Sequence, residues 1–297
     1  MVGKNIQEHV ASSDYEILAP TSNDLDLLVP ESVSGFIGEH SPDFVIHAAG
    51  HVGGIQANIK DPQEFLLKNL NMSQNVISSS NDAGVKRLLN LGSSCMYPRD
   101  GVNPLKEESI LNGHLEPTNE GYALAKIVSA KLCEYISEAR PDRNYKTIIP
   151  CNLFGRHDKY DPVFSHMIPS VMRRLYEAKL NGQNIVRIWG DGSARREFMS
   201  ASELADFIFY AINNFEKMPQ TLNVGIGQDF SIQDYYKMIA SVVGYKGKFE
   251  YDLTKPVGMK QKLVDNSRQV EFGWTSKRSI SESLIEAFTF LKGEYKL

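Results

Sequence analysis

Four features in a fixed order constrain the fold of this chain most: an apolar stretch, Gly92-Ser93-Ser94, a spacer, and a helical run that carries Tyr122 and Lys126. The apolar stretch Arg87–Leu91 predicts a buried strand. Ser93 then lies at the carboxyl end of that strand, where open α/β sheets bind their ligands. Tyr122 and Lys126 are four residues apart, so both point from one face of the predicted helix. The sequence therefore predicts an α/β fold with a site at one edge of its sheet.

The same three side chains suit carbonyl and alcohol chemistry. A tyrosine phenol, with a pKa of about 10, is a poor acid at neutral pH, but a neighbouring ammonium group favours the phenolate. We therefore expect Lys126 to lower the pKa of Tyr122, with Ser93 adding a second hydroxyl to the site. Tyr-x-x-x-Lys alone more often marks a half-buried tyrosine beside a solvated lysine. The preceding strand and Gly-Ser-Ser turn give the pattern its specificity.

Composition and charge exclude several classes of protein. The chain has 297 residues, of which 42% are hydrophobic, enough for one large or two modest cores. Its net charge of −4 argues against nucleic acid as a partner. Cys95, Cys133 and Cys151 form no Cys-x-x-Cys pair, so we expect neither disulfides nor a metal site, as in a reducing cytoplasm. No apolar run reaches membrane-spanning length and no signal peptide is evident, so we expect a cytoplasmic protein without membrane contact.

Longer motifs connect the chain to a known family. The matching runs are HAAGHVGGI at His47–Ile55, LGSSCMYP at Leu91–Pro98, LEPTNEGYALAK at Leu115–Lys126, NLFGRHD at Asn152–Asp158, SHMIP at Ser165–Pro169 and REF at Arg196–Phe198. With these runs the chain resembles the extended short-chain dehydrogenases/reductases of the NAD-dependent epimerase/dehydratase type. More narrowly, it resembles the GDP-L-fucose synthase family. The resemblance covers most of the chain in family order.

The first residues depart from the family pattern. A dinucleotide-binding fold opens with a buried strand and a glycine-rich turn that enters a helix. Here Met1-Val2-Gly3 resembles the end of that turn, and Gly3 matches the last glycine of the fingerprint. We therefore predict a Rossmann-type doubly wound parallel sheet that lacks its first strand, which leaves neighbouring strands with unpaired backbone groups. A start codon assigned too late explains this better than a degraded gene product, because the later motifs retain their residue types.

The remaining pattern predicts two domains. Residues 1–155 and about 195–230 are expected to form the dinucleotide-binding domain, and about 156–194 and 231–297 a smaller C-terminal α/β substrate-binding domain. The predicted strands are Tyr15–Ala19, Asp43–Gly50, Arg87–Leu91, Lys146–Leu153, Thr221–Gly227 and Lys248–Asp252. Helices are predicted at about 62–83, after Thr118, from Ser202, at about 231–243 and from Ser279.

The resemblance implies a two-step reaction and a catalytic set. The family converts GDP-4-keto-6-deoxy-D-mannose to GDP-L-fucose by 3,5-epimerisation and NADPH-dependent reduction of the 4-keto group. Protons at C3 and C5 of a 4-keto sugar are acidified, so inversion needs a base on one face and an acid on the other. The resemblance assigns Cys95 as the base and His166 as the acid. Ser93, Tyr122 and Lys126 then serve both the enolate and the reduction.

The resemblance also implies binding residues. For NADP(H) they are Gly3, Leu91, Gly92, Ser93, Ser94, Tyr122, Lys126, Pro150, Cys151, Asn152, Leu153 and His166. For the GDP-sugar they are Arg174, Trp189, Arg196 and Lys262. A departure from the family is Val257, where family members carry an acidic residue. The uncharged Ser22, near the end of Tyr15–Ala19, leaves the choice between NAD and NADP open, although no acidic residue there excludes a 2′-phosphate. Family-type helices near 62–83 and 118–138 imply a homodimer.

Two other functions remain open from the sequence. An NAD-dependent sugar-nucleotide 4-epimerase would consume no reduced cofactor and would not need Cys95. A non-catalytic remnant, which no longer binds cofactor, would retain Ser93, Tyr122 and Lys126 without turnover.

Overall fold

The computed structural model describes residues 1–160, 165–255 and 258–295. Within these ranges the helices are α1 (Val2–Gln7), α2 (Pro30–His40), α3 (Ile55–Lys60), α4 (Pro62–Asp82), α5 (Glu120–Ala139), α6 (Met167–Leu180), α7 (Ala201–Asn213), α8 (Ile232–Val243), α9 (Ser267–Phe272) and α10 (Ile280–Tyr295). The strands are β1 (Phe44–His47), β2 (Arg87–Leu91), β3 (Asn144–Pro150), β4 (Asn152–Phe154), β5 (Ile185–Trp189), β6 (Arg195–Arg196), β7 (Phe198–Ser200), β8 (Thr221–Val224), β9 (Phe230–Ser231), β10 (Lys248–Asp252) and β11 (Gln261–Lys262). In the described part of the chain, no helix is both long and apolar enough to cross a membrane.

The centre of the fold is a parallel sheet with the strand order β1-β2-β3-β8. Successive residues of a strand point to opposite faces. Leu88 of β2 accordingly packs with Ile77 of α4, whereas Leu89 packs in the cluster that contains Phe207 of α7. Both faces are covered, which explains the nearly continuous apolar run of β2. The predicted Rossmann-type α/β fold is confirmed.

The predicted second strand, Tyr15–Ala19, is wrong. These residues follow a short 3₁₀ helix at Val10–Asp14 and have no strand partner in the described chain. A strand needs a neighbour to satisfy its backbone N–H and C=O groups. In the described sheet β1 is an edge strand paired only with β2, and Tyr15–Ala19 does not join its free edge. The chain enters α1 at Val2, as predicted, and Ile6 anchors this helix in the main core.

The predicted strand Lys146–Leu153 is divided into two. β3 ends at Pro150, where Cys151 donates its N–H to Val224 O (2.9 Å). β4 then pairs with β7 instead of continuing the central sheet. The bend between them occurs at the carboxyl edge of the sheet, so it brings Pro150 to Leu153 to the wall of a cavity.

A second hydrophobic cluster is separate from the main core, and of these two clusters the main core is the one that contains residues of the central sheet. The second cluster combines apolar side chains of α6, α8 and α10, among them Leu175, Ile239 and Leu284. The parallel pair β5 and β10 contributes Ile188 and, less deeply buried, Phe249. The predicted domain boundaries stay a prediction: most of this second core comes from the predicted substrate-binding domain, but Phe154 and Phe198 of the other predicted domain also belong to it.

Candidate active site

Every site residue predicted from the sequence lines one cavity of about 820 Å³. The cavity lies at the carboxyl ends of β2 and β3, where ligands of open α/β sheets bind. The residues it brings together are Gly3, Leu91, Gly92, Ser93, Ser94, Cys95, Tyr122, Lys126, Pro150, Cys151, Asn152, Leu153, His166, Arg174, Trp189, Arg196 and Lys262. Val257 lies outside the described residues.

Glycines allow the strand β2 and the helix α5 to approach their neighbours closely. A Cβ atom at Gly121 would lie 2.5 Å from Pro62 O, so the N-terminus of α5 meets that of α4 at a distance that only glycine permits. A Cβ atom at Gly92 would lie 3.1 Å from Ile148 O. These contacts place Ser93 and Tyr122 on the same wall of the cavity.

Lys126 is buried under that wall. Its Nζ donates to Leu91 O at 2.8 Å and lies 5.9 Å from the centroid of the Tyr122 ring. Burial lowers the pKa of Lys126 to about 8. The ammonium group is therefore fixed against the end of β2, beneath the ring of Tyr122.

The predicted lowering of the pKa of Tyr122 is wrong for this structure. Burial raises the pKa of Tyr122, the neighbouring Cys95 adds to the rise, and a hydrogen bond with Ser93 opposes it. The Lys126 ammonium donates to a backbone carbonyl, Leu91 O, and lies 5.9 Å from the centroid of the Tyr122 ring. Tyr122 is therefore a protonated phenol at neutral pH.

Cys95 lies in the short 3₁₀ turn Ser94–Met96, whose N-cap is Ser93. The Ser93 hydroxyl oxygen accepts from the Cys95 backbone N–H at 3.2 Å. The Cys95 sulfur itself accepts two hydrogen bonds, from Asn119 Nδ2 at 3.3 Å and from Lys262 Nζ at 3.4 Å. All three cysteines are free, and Cys95 is partly exposed whereas the other two are buried. The sulfur thus faces the cavity between two N–H donors.

His166 is the N-cap residue of α6, and its side chain makes no cap hydrogen bond. Burial lowers the pKa of His166, and the positive charges of Lys159 and Lys262 lower it further. The imidazole is therefore neutral at neutral pH in the protein alone. Lys262 thus contacts Cys95 and its charge acts on His166, so one lysine influences both predicted acid–base residues.

Among the residues predicted to bind the sugar nucleotide, Arg174 is held by hydrogen bonds, whereas Trp189 is exposed. Arg174 donates to Tyr236 Oη (3.1 Å) and to Arg187 O (2.7 Å). Trp189 is 45% exposed, with Lys255 Nζ 5.7 Å from its ring. Arg196 donates to Arg195 O, and burial lowers its pKa while Cys95 and Glu116 oppose that shift. Together they form a basic and aromatic wall opposite β2.

Two residues that sequence reasoning missed support Cys95. Asn119 is one, and its signal was its place in the Thr-Asn-Glu-x-Tyr run. Glu197 is the other: its buried carboxyl accepts from Gly227 N (2.8 Å) and Val264 N (3.0 Å). It therefore anchors the segment that carries Lys262. Burial raises the pKa of Glu197 to about 7.

Comparisons with known proteins identify the family of this chain. The model of the NAD dependent epimerase/dehydratase family matches residues 1–225. A GDP-L-colitose synthase of Yersinia pseudotuberculosis is 54% identical over 294 residues, covering 99% of this chain and 96% of that protein. A GDP-L-fucose synthase of Azorhizobium caulinodans is 48% identical over 290 residues, covering 98% and 93%.

A similar solved structure contains a cofactor. It is a GDP-mannoheptose C4 reductase from Campylobacter jejuni with NADP bound, with a TM-score of 0.89 and 29% identity, covering 98% of this chain and 95% of that one. The relatives are thus sugar-nucleotide synthases and reductases whose sequences align with this chain almost end to end. The protein belongs to the NAD dependent epimerase/dehydratase family.

Proposed function

We propose that this protein is an NADPH-dependent enzyme that converts GDP-4-keto-6-deoxy-D-mannose to GDP-L-fucose by 3,5-epimerisation and 4-reduction. One observation carries the proposal: a cysteine sulfur between two N–H donors shares a cavity with Ser93, Tyr122 and Lys126. The Ser/Tyr/Lys set handles a carbonyl, whereas Cys95 adds a base that simple carbonyl reduction does not require.

The cavity residues fit NADP(H). Ala48, Ala49 and Gly50 form part of its wall, and a Cβ atom at Gly50 would lie 3.3 Å from Asn69 Oδ1 and 4.0 Å from Lys126 Nζ. Small residues here leave room for a ribose beside the lysine. Gly3, at the start of α1, borders the same cavity and has nothing within 4 Å of its Cβ position. When bound, the reduced cofactor supplies the hydride that C4 receives.

Tyr122 and Ser93 are placed to bind the C4 oxygen. Because its pKa is raised, Tyr122 is protonated and donates a hydrogen bond to that oxygen. Hydrogen bonds to an oxygen that becomes negative stabilise the enolate in epimerisation. In the reduction, Tyr122 gives its proton to the C4 oxygen, and the buried Lys126 compensates the negative charge that remains on the phenol.

Cys95 and His166 perform the proton transfers at C3 and C5 in this proposal. Asn119 Nδ2 and Lys262 Nζ donate to the Cys95 sulfur, so they fix the position of the atom that receives the sugar proton. His166 must be protonated to act as the acid. A substrate diphosphate brings negative charge into the cavity, which opposes the lowering of the His166 pKa by Lys159 and Lys262.

The basic wall binds the GDP group. Arg196 and Lys262 are charged partners for the diphosphate, and Arg174 adds a planar donor whose orientation is fixed by Tyr236. Trp189 offers an exposed aromatic face for a base or a sugar.

We further infer a cytoplasmic homodimer. A free cysteine that acts as a base is compatible with a reducing compartment. The outer faces of α4 and α5 expose Leu67, Leu124, Val128 and Tyr135. An exposed apolar helix pair of this kind supports self-association.

A GDP-L-colitose-type product is the second candidate, since the Yersinia relative of that name is 54% identical. Colitose differs from fucose by the loss of the 3-hydroxyl group. A 4-keto substrate that is also 3-deoxy needs inversion only at C5, and the same Cys95, Tyr122 and Ser93 suffice for it.

The test is turnover by the purified chain with NADPH and GDP-4-keto-6-deoxy-D-mannose, followed by identification of the product by NMR. We expect oxidation of NADPH and a GDP-L-fucose product, both lost in Tyr122→Phe. Turnover of only the 3-deoxy substrate would favour the second candidate. No turnover of either substrate would overturn the proposal.

A further inference from the structure

Asn119 occupies the N-cap position of α5, but its side chain does not cap the helix. Asparagine is favoured there because its side-chain oxygen accepts from backbone N–H groups of the first turn. Here the backbone has φ −145° and ψ 22°, and no side-chain cap hydrogen bond forms. The amide instead turns to the cavity, where Nδ2 donates to Cys95 Sγ at 3.3 Å. The side chain of Asn119 therefore donates to a sulfur atom instead of capping the helix.

The other end of the same amide has no partner. Asn119 Oδ1 is buried and makes no hydrogen bond within the described ranges, although Asn119 lines the cavity. A buried acceptor without a donor is destabilising, so native structures leave few of them. In a cavity proposed to bind a sugar, such an atom suits a hydroxyl group of the ligand.

We propose that Asn119 is the positioning residue of Cys95 and that its Oδ1 accepts a hydrogen bond from the substrate 3-hydroxyl. The inference rests on the proposed function, because Cys95 removes the proton from C3 and the 3-hydroxyl is on that same carbon. A residue in contact with the base is therefore in reach of this hydroxyl. The preferred substrates are accordingly 4-keto sugar nucleotides that retain the 3-hydroxyl group.

Asn119 differs from the other groups around the sulfur. Lys262 contacts Sγ through a charged ammonium, and Arg196 and Tyr122 also act on Cys95 electrostatically. Asn119 is a neutral donor whose place is fixed by the start of α5, where its own N–H donates to Glu116 O at 3.1 Å. It therefore sets the direction of the sulfur, whereas the cations set the local charge.

Alkylation of Cys95 by iodoacetamide, followed by mass spectrometry of the intact protein, tests the first half. Cys133 and Cys151 are buried, and Cys95→Ser measures their background. Asn119→Asp keeps the size of the side chain and is itself a strong N-cap residue, but it replaces the N–H donor with a carboxylate. We expect alkylation about tenfold slower than wild type at an unchanged Tm.

A wild-type alkylation rate in Asn119→Asp, or a lower Tm that accounts for the change, would overturn the positioning role. The measurement needs neither cofactor nor substrate. Its outcome is therefore independent of whether the proposed reaction is found.

The second half is tested by comparing kcat/KM for the 3-hydroxy and 3-deoxy forms of the GDP-4-keto sugar. We expect wild type to prefer the 3-hydroxy form by about tenfold, because the 3-deoxy form leaves Oδ1 unpaired. In Asn119→Ala this preference should disappear through a higher KM for the 3-hydroxy form. A preference that survives in Asn119→Ala, or that wild type lacks, would overturn the assignment of Oδ1, while turnover itself would still support the proposed function.

Discussion

The two halves of the cavity wall are assembled over very different distances along the chain. The local half consists of Ser93, Tyr122 and Lys126, where the lysine reaches a carbonyl 35 residues away. The long-range half joins Cys95 to Lys262, which is 167 residues away in sequence. The local half is built from one strand and one helix that share close glycine contacts, whereas the long-range half depends on how later segments dock.

The difference separates the two chemical steps of the proposed reaction. In the proposed reaction the local half serves the reduction of the carbonyl, and its residues are carried by the end of β2 and by α5. The long-range half adds the base for epimerisation, and Glu197 holds the segment of Lys262 in place. Changes in one half should therefore affect one step more than the other.

The largest expected effect separates the halves directly. Cys95→Ser should slow the exchange of the C3 and C5 protons with deuterated water by about 100-fold or more, because the base is lost. Ser93 and Tyr122 remain, so reduction of a GDP-4-keto sugar that needs no inversion should be retained. NMR measures the exchange, and NADPH absorbance measures the reduction. Equal loss of both steps would show that the two halves do not act separately.

The next effect concerns the buried charge of the local half. Burial lowers the pKa of Lys126 from 10.5 to about 8, so between these values the unfolded chain binds more protons and stability rises with pH. The rise amounts to roughly 3 kcal/mol across the window. Lys126→Met should lose this part of the pH dependence in urea unfolding measured at successive pH values. If the free energy of unfolding depended on pH in the same way in both proteins, a lowered pKa of the buried Lys126 would be contradicted.

A smaller loss is expected when the support of the long-range half is weakened. Above pH 7 the Glu197 carboxylate accepts two backbone N–H groups, and Glu197→Gln presents an N–H₂ group to one of them. We expect a loss of about 1–3 kcal/mol in urea unfolding and slower proton exchange at C5. The matched control is Glu177→Gln, which weakens a partly exposed pair with Arg173 and should cost less than about 1 kcal/mol. Equal losses would show that burial of Glu197 has no special role.

The smallest effect tests the close contact of the local half. Alanine is a better helix former than glycine, yet Gly121→Ala places a Cβ atom 2.5 Å from Pro62 O. We expect a loss of about 1–2 kcal/mol from the forced shift of α5. Gly35→Ala in α2 has open space around its Cβ and should stabilise the protein by about 0.5–1 kcal/mol. Thermal unfolding of both variants measures the contrast, and a gain in Gly121→Ala would contradict the proposed contact.

Sequence reasoning was most successful where the determinants are close in the chain. The placement of Tyr122 and Lys126 on one helix face follows from the helical period of 3.6, and the position of Ser93 after a strand follows from the short apolar run Arg87–Leu91. It failed at Tyr15–Ala19, because a short apolar segment becomes a strand only if its backbone groups pair with a neighbouring strand, and this segment pairs with none in the described chain. It also predicted the wrong direction for the pKa of Tyr122, since burial and the position of Cys95 are properties of the folded chain.

The sequence by itself indicated the parallel sheet, the helix that carries Tyr122 and Lys126, and many of the residues that line the cavity, although not Asn119. Only the tertiary structure decided which of them touch. Lys262 contacts Cys95 because a buried glutamate fixes its segment, and Asn119 leaves its helix cap because a sulfur atom lies within reach. Hydrogen bonds between distant segments depend on docking, and docking leaves no local pattern in a sequence.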